Sequence, residues 1–405
     1  MGDTKVMKHG LALLALMGTV GIAHAFTPLA GPSATTYQLN PAHDGTATFD
    51  PPSTGHFGEI WRYAIAGTAG YPLIADGRVF VAWSDQPGST YGQHLVALDE
   101  ATGAPLWGPI ALPDGNFVGL AYDAGRVFAV DFAGLLQAFD AATGDLDWSV
   151  QLPGQWLFTS SPSATLGVVY VGGAGSAGTV YALDASTGAL LWTQEVWNGD
   201  DSSPAIADGD VFVSYVCPQV YSLDMGSGAT NWHFSGPCEG GGGATPAVRD
   251  HRLYVRDWPS TPSGYVFDSD TGVVLNRIDM QTTPAIGATD GYFLQSGTLR
   301  GVRLDDLSVL WSFAGDGQLG TAPIVVDGFV FIGSETGMLY ALDVATGHVR
   351  FSANTGASIA PTTDGFSMMS SLSAGDGLVL VPTVAAIVAY GEVPDAIFAD
   401  GFESP

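Results

Sequence analysis

The chain has 405 residues, with 40 acidic against 12 basic ones and a formal net charge of −28. Such a field repels polyanions and favours solubility, so neither nucleic acid nor an acidic membrane surface is expected as a partner. Only 13% of residues are charged, against about 25% in an average globular chain, and Lys5 and Lys8 are the sole lysines, which excludes Schiff-base chemistry from everything beyond them.

Those two lysines open residues 1–25, which read as an export signal. Leu11 to Ile22 is an apolar run too short to span a bilayer, and Ala23-His24-Ala25 is a small-residue cleavage site. No later segment predicts a transmembrane helix. Export points to a periplasmic or extracellular location. Residues 26–58 read as a lead-in segment, and Glu59 to Ile65 as a strand carrying Trp61.

From Val96 onward a twelve-residue phrase recurs, VALDEATGAPLW first and YALDASTGALLW later. Its Asp falls at Asp99, Asp140, Asp184, Asp224, Asp268, Asp305 and Asp343. Its Trp falls at Trp107, Trp148, Trp192, Trp232 and Trp311, with Asn276 and Phe351 in two copies. Around Asp305 the phrase reads as shortened. A period of about 40 residues with strand-like flanks predicts a propeller of four-stranded blades.

Residues 202–234 show how one copy makes a blade. Ala205 to Ala207 reads as a short inner strand, and Asp208-Gly209 as a hairpin turn that needs positive φ. Val211 to Val216, Gln219 to Leu223 and Ala229 to Phe234 read as the remaining strands. Seven copies fit this pattern. An eighth is split: Leu372 to Tyr390 supplies three strands, and Glu59 to Ile65 supplies the fourth. The fold expected is therefore all-β, an eight-bladed propeller over residues 59–392, closed by strands from opposite ends of the chain. Trp61 and the other repeat tryptophans are expected to fill the space between blades, each with one N–H in need of a partner. Residues 393–405 are left as an acidic tail.

Cys217 and Cys238 are the only cysteines, and in an exported chain two cysteines read as one disulfide. Their strands stand about 9.6 Å apart, beyond the reach of a bridge, so the loop carrying Cys238 must swing inward. No metal site is expected. The eight His show no ligand spacing, and Asp200-Asp201 lacks the alternation of a calcium loop.

The phrase A-x-D-x-x-T-G-x-x-x-W, with S-P-A-[IV] about 20 residues earlier, resembles the PQQ-like β-propeller repeat. That repeat is shared by quinoprotein alcohol dehydrogenases and the BamB family, and the resemblance covers nearly all of Glu59 to Gly391. The catalytic branch implies PQQ beneath an adjacent Cys-Cys ring, with calcium held by Glu, Asn and Asp. Cys217 and Cys238 are not adjacent, and no motif here matches the calcium ligands. A stretch holding Arg249, Arg252, Arg256, Arg277, Arg300 and Arg303 keeps a quinoprotein oxidoreductase as an alternative, with PQQ and calcium as its cofactors. The other branch implies an outer-membrane assembly scaffold, although those relatives are lipoproteins and no lipid-bearing Cys follows the signal. The tail IFADGFE resembles a short terminal motif of diverse exported proteins of some gram-negative bacteria, and the resemblance implies a periplasmic or extracellular location in such a bacterium.

Function is expected to be non-catalytic and monomeric, with a protein or small-ligand partner and no resident cofactor. Loops leaving the outer strands, and those joining second to third strands, emerge on one side of the ring. They gather Trp83, Trp156, Trp197 and Trp258 with Asp131, Asp200 and Asp201, and such loops are where propellers bind.

Overall fold

The computed structural model describes Met1 and residues 34–48, 56–86, 91–113, 118–197, 199, 202–238, 244–257, 263–362 and 369–393. The export signal and the tail beyond residue 393 fall outside them. Among the described residues no helix is long and apolar enough to cross a membrane.

Eight antiparallel blades form the ring, each ordered inner strand to outer strand. Blade four consists of Ala205–Ala207, Asp210–Tyr215, Gln219–Asp224 and Thr230–Ser235. Its second strand alternates on a β-branched and aromatic run and is buried from Val211 to Tyr215, whereas its outer strand alternates between half-buried and exposed. Blade eight is the split one. Ser373–Gly375, Leu378–Pro382 and Ala386–Val393 are completed by His56–Ala64, which pairs with Ala386–Val393 from His56↔Val393 to Ala64↔Ala386. No sheet edge is left open at the seam.

One docking unit holds neighbouring blades together. The repeat Asp caps the turn between third and outer strands, its Oδ1 accepting from the amide and hydroxyl of a Thr or Ser three residues on, as Asp224 does from Ser227. Donors two and three residues on, led by the Thr143 amide at Asp140, by the Ser186 hydroxyl at Asp184 and by the Ser227, Thr271 and Thr346 hydroxyls at Asp224, Asp268 and Asp343, hold these carboxyls below the ordinary carboxylate range. The residue after the Asp offers its carbonyl to the indole of the preceding blade. Trp61, Trp107, Trp148, Trp192, Trp232 and Trp311 donate to Glu100, Ala141, Ala185, Met225, Ser269 and Val344 at 2.7–3.2 Å. Each ring lies on the turn Gly. At Gly228, with φ of +72°, an added Cβ would sit 2.5 Å from Cε3 of Trp192.

Blade six departs from the expected register. Asp290 pairs with Arg303, as Asp210 pairs with Asp224, so Arg303 and not Asp305 occupies the repeat Asp position. The copy is not shortened. Leu307 takes the turn-glycine position with φ of +58°, and its amide bonds the carbonyl of Arg303.

The lead-in segment is more than a lead-in. The inner strand of each blade turns its unpaired edge toward the ring axis. Residues 34–47 run along those edges, and six of their carbonyls accept amides from corresponding inner-strand positions. Ala34 takes Ile74, Thr35 takes Tyr122, Pro41 takes Ile206, Ala42 takes Val248, Asp44 takes Ile286 and Gly45 takes Val325, at 2.6–2.9 Å. Gln38 Nε2 donates to the carbonyls of Thr283 and Pro323. Thr46–Ala47 adds a parallel strand to blade seven. With His43 reaching Ser163 of blade three, so short a segment touches seven blades, which it can do only by lying on the axis, and it therefore plugs the channel.

His43 sits at the centre of this plug, fully buried. Its Nδ1 donates to the carbonyl of Pro246, so its Nε2 accepts from Ser163 Oγ, both at 3.2 Å. Burial lowers its pKa to about 4, and the ring is neutral.

Candidate functional site

The face formed by the outer-to-inner loops and the second-to-third hairpins is where the sequence places a binding surface, and it is best defined around blade three. That blade's second and third strands, Val168–Gly175 and Ala177–Asp184, form a long hairpin ending at the pair Gly175↔Ala177. The incoming loop brings Trp156 onto the tip. Its amide bonds Ala174 O, and its ring lies so close to Gly175 that a Cβ there would sit 2.6 Å from Cε2. The face of the indole stays open, with the residue 62% exposed. Trp197 leaves the same end of the blade, directly after the outer strand Leu190–Val196, and is 72% exposed.

Trp197 is tied to blade four. Its amide donates to Tyr221 Oη at 3.0 Å, and Tyr221 stacks on His233 with centroids 4.1 Å apart. His233 in turn meets Gln219 Oε1 at 2.7 Å, and Gln219 Nε2 donates to Cys217 O and Ser235 Oγ. Burial raises the Tyr221 pKa and lowers that of His233. Cys217 and Cys238 are joined in a disulfide with a Cα–Cα distance of 4.2 Å, which fastens the returning loop to this hairpin. Two exposed indoles thus stand on backbone fixed by a hairpin tip, a buried tyrosine and a covalent bridge.

The other predicted residues distribute differently. Trp83 is 6% exposed, stacked on His94 and edge-on to Tyr63, so it packs blade one and offers no surface. Asp131 organises a turn, accepting from the Leu135 amide at 2.8 Å, and burial raises its pKa. Asp200, Asp201 and Trp258 lie outside the described residues. Tyr91, 62% exposed in the hairpin connection of blade one, belongs to this face and was missed because nothing in the repeat marks it. Tyr221 and His233 were missed as support because each occupies an ordinary strand position.

The described residues do not form the donor set of a quinone–calcium centre. The cysteines are 21 positions apart within one blade, and among the described residues no group of three His, Cys, Asp or Glu is placed to hold a metal. The inner-strand approaches carry Ser161, Ser203, Thr245 and Thr283, all buried, rather than carboxylates.

Fold and docking unit together define an eight-bladed propeller of PQQ-like repeats. The family model described as "Outer membrane protein assembly factor BamB" matches residues 47–196, 176–285 and 263–392, and the chain belongs to that family. BamB of Yersinia pestis is 28% identical over 248 residues, covering 58% of this chain and 56% of its own length. The dehydrogenase subunit of a quinone alcohol dehydrogenase from Gluconobacter oxydans is 32% identical over 203 residues, covering 42% of this chain and 26% of its own. The chain thus spans about a quarter to just over half the length of these curated relatives. Among solved structures, BamB from Moraxella catarrhalis superposes with a TM-score of 0.61 at 18% identity, covering 83% of this chain and 98% of that one. A europium-containing methanol dehydrogenase gives 0.68 at 13% identity, covering 89% and 98%. Both structural likenesses speak to the fold alone.

Proposed function

We propose that this chain is an exported, non-catalytic propeller that binds a protein partner through the loop face at blades three and four. The observation that carries the reading is the pair Trp156 and Trp197, both open to solvent on rigid backbone at the end of one blade. Rigid exposed aromatics lose little entropy on docking, and tryptophan is enriched among residues whose truncation costs 2 kcal/mol or more at interfaces. The acidic balance of the chain favours a basic rim on the partner.

Relatives carrying the BamB name support a scaffold role, and those named as quinone dehydrogenases keep oxidation in view as the second reading. Crosslinked pull-down from envelope fractions tests the first. A Trp156→Ala, Trp197→Ala double variant should lose its partner by about 30-fold or more while melting as the parent does. Undiminished capture would place binding elsewhere. Dye-linked alcohol oxidation after addition of PQQ and calcium tests the second, and turnover would overturn the non-catalytic reading.

A further inference from the structure

The docking unit fails at one continuous junction, between blades five and six, and three positions change there together. Asn276 stands where a Trp would dock, Leu307 where the turn Gly would receive it, and Arg303 where the turn Asp would be. The carbonyl that elsewhere accepts an indole N–H is that of Leu304, and here Arg252 Nη1 donates to it at 2.5 Å. A cavity of about 550 Å³ lies at the same junction, between Arg249, Arg252 and Tyr254 of blade five and Ile286, Asp290 and Leu304 of blade six, on the face opposite the loops. That volume lies within the range of small-ligand sites, roughly 300–1,000 Å³.

Its lining is unusual for this chain. Arg249, Arg252 and Arg303 all border it, three of ten arginines in a protein of net charge −28. Two are oriented by the fold. Arg249 Nη1 is held by Asp44 Oδ2 at 2.9 Å and Thr46 Oγ1 at 2.7 Å, which ties it to the axial plug. Arg252 is fixed by its bond to Leu304. Arg303 has neither an ion pair nor a side-chain hydrogen bond among the described residues, and its exposed guanidinium stands at the rim. Guanidinium groups present planar pairs of N–H donors that match carboxylate and phosphate oxygens. Asp250, which lies 3.6 Å from Arg249 Nε, shares the lining with Asp290 and Asp305, and the three limit the charge that can enter.

We propose that this cavity binds a small molecule through a single oxyanion group, a monocarboxylate or a phosphate monoester, with Arg303 and Arg252 as the donors. It is a second site, independent of the partner surface above.

Calorimetry and thermal melts with inorganic phosphate and with butyrate, against chloride at equal ionic strength, test this and separate the two oxyanion classes. At least one probe should bind with a saturable melting shift. Arg303→Gln should weaken it about tenfold or more without changing the unliganded melt, and Asp305→Asn should tighten it by removing a competing carboxylate. Absence of a saturable shift with both probes, or equal binding by Arg303→Gln, would overturn the assignment.

Discussion

His43 makes the plug sensitive to acid, and the size of that effect follows from its burial. In the unfolded chain its pKa is near 6.5, whereas in the folded protein it is about 4. Between those values the unfolded chain holds a proton that the folded one refuses. The stability associated with the neutral ring is therefore complete above pH 6.5 and is lost as pH falls toward 4. At about 1.4 kcal/mol per pH unit the loss is roughly 3 kcal/mol, which lowers the melting temperature of a fold this size by about 4 °C. Glu100 works the other way. Desolvation, with Asp376 and Asp99 nearby, raises its pKa to about 8, so its contribution is complete below the ordinary carboxylate range and is lost as pH rises through 8. The wild-type curve sums both. A His43→Gln variant cannot titrate at position 43, so melts of the two proteins from pH 7 to pH 4 should differ in slope by the His43 amount. Parallel curves over that interval would refute a neutral buried imidazole.

Three further outcomes are expected. Trp61→Ala removes a 7%-exposed indole and its bond to Glu100 at the seam, and should cost about 3–5 kcal/mol by denaturant titration. Reduction of Cys217–Cys238, whose ends have a sequence separation of 21, should cost about 3 kcal/mol, and intact mass after alkylation without reductant should show no modified thiol. Asn276→Trp combined with Leu307→Gly restores the missing docking pair and should raise the melting temperature, since a buried aromatic contributes roughly 1.5–3 kcal/mol. A lower melting temperature would mean that the junction is built around Arg252.

The ring was legible in the sequence because one docking unit writes itself repeatedly: a capping Asp, a glycine under an indole, and the indole itself. Blade six shows the limit of reading by residue type. Arg303 lies eight residues before Trp311, as Asp224 lies eight before Trp232, and the nearby Asp305 drew the eye from that spacing. The plug left no such trace. It occurs once, and six of its contacts use backbone carbonyls, which carry no side-chain code. Trp83 and Trp156 look alike in sequence, and only His94 and Tyr63 packing around one of them decides that it is buried.

The seam also sets a timetable. His56–Ala64 finds its partner in Ala386–Val393, about 330 residues later, and the plug lines strands from Leu73–Ala75 to Ile324–Val326. The first part made must wait for nearly the last. At roughly 5–20 residues per second of synthesis, that wait is on the order of 15–70 s. Throughout it, the plug carbonyls that serve the later blades wait for their partners, and the growing stack has an unclosed end. Shutting the ring is the step at which blade eight gains its outer strand and blade one gains its second neighbour.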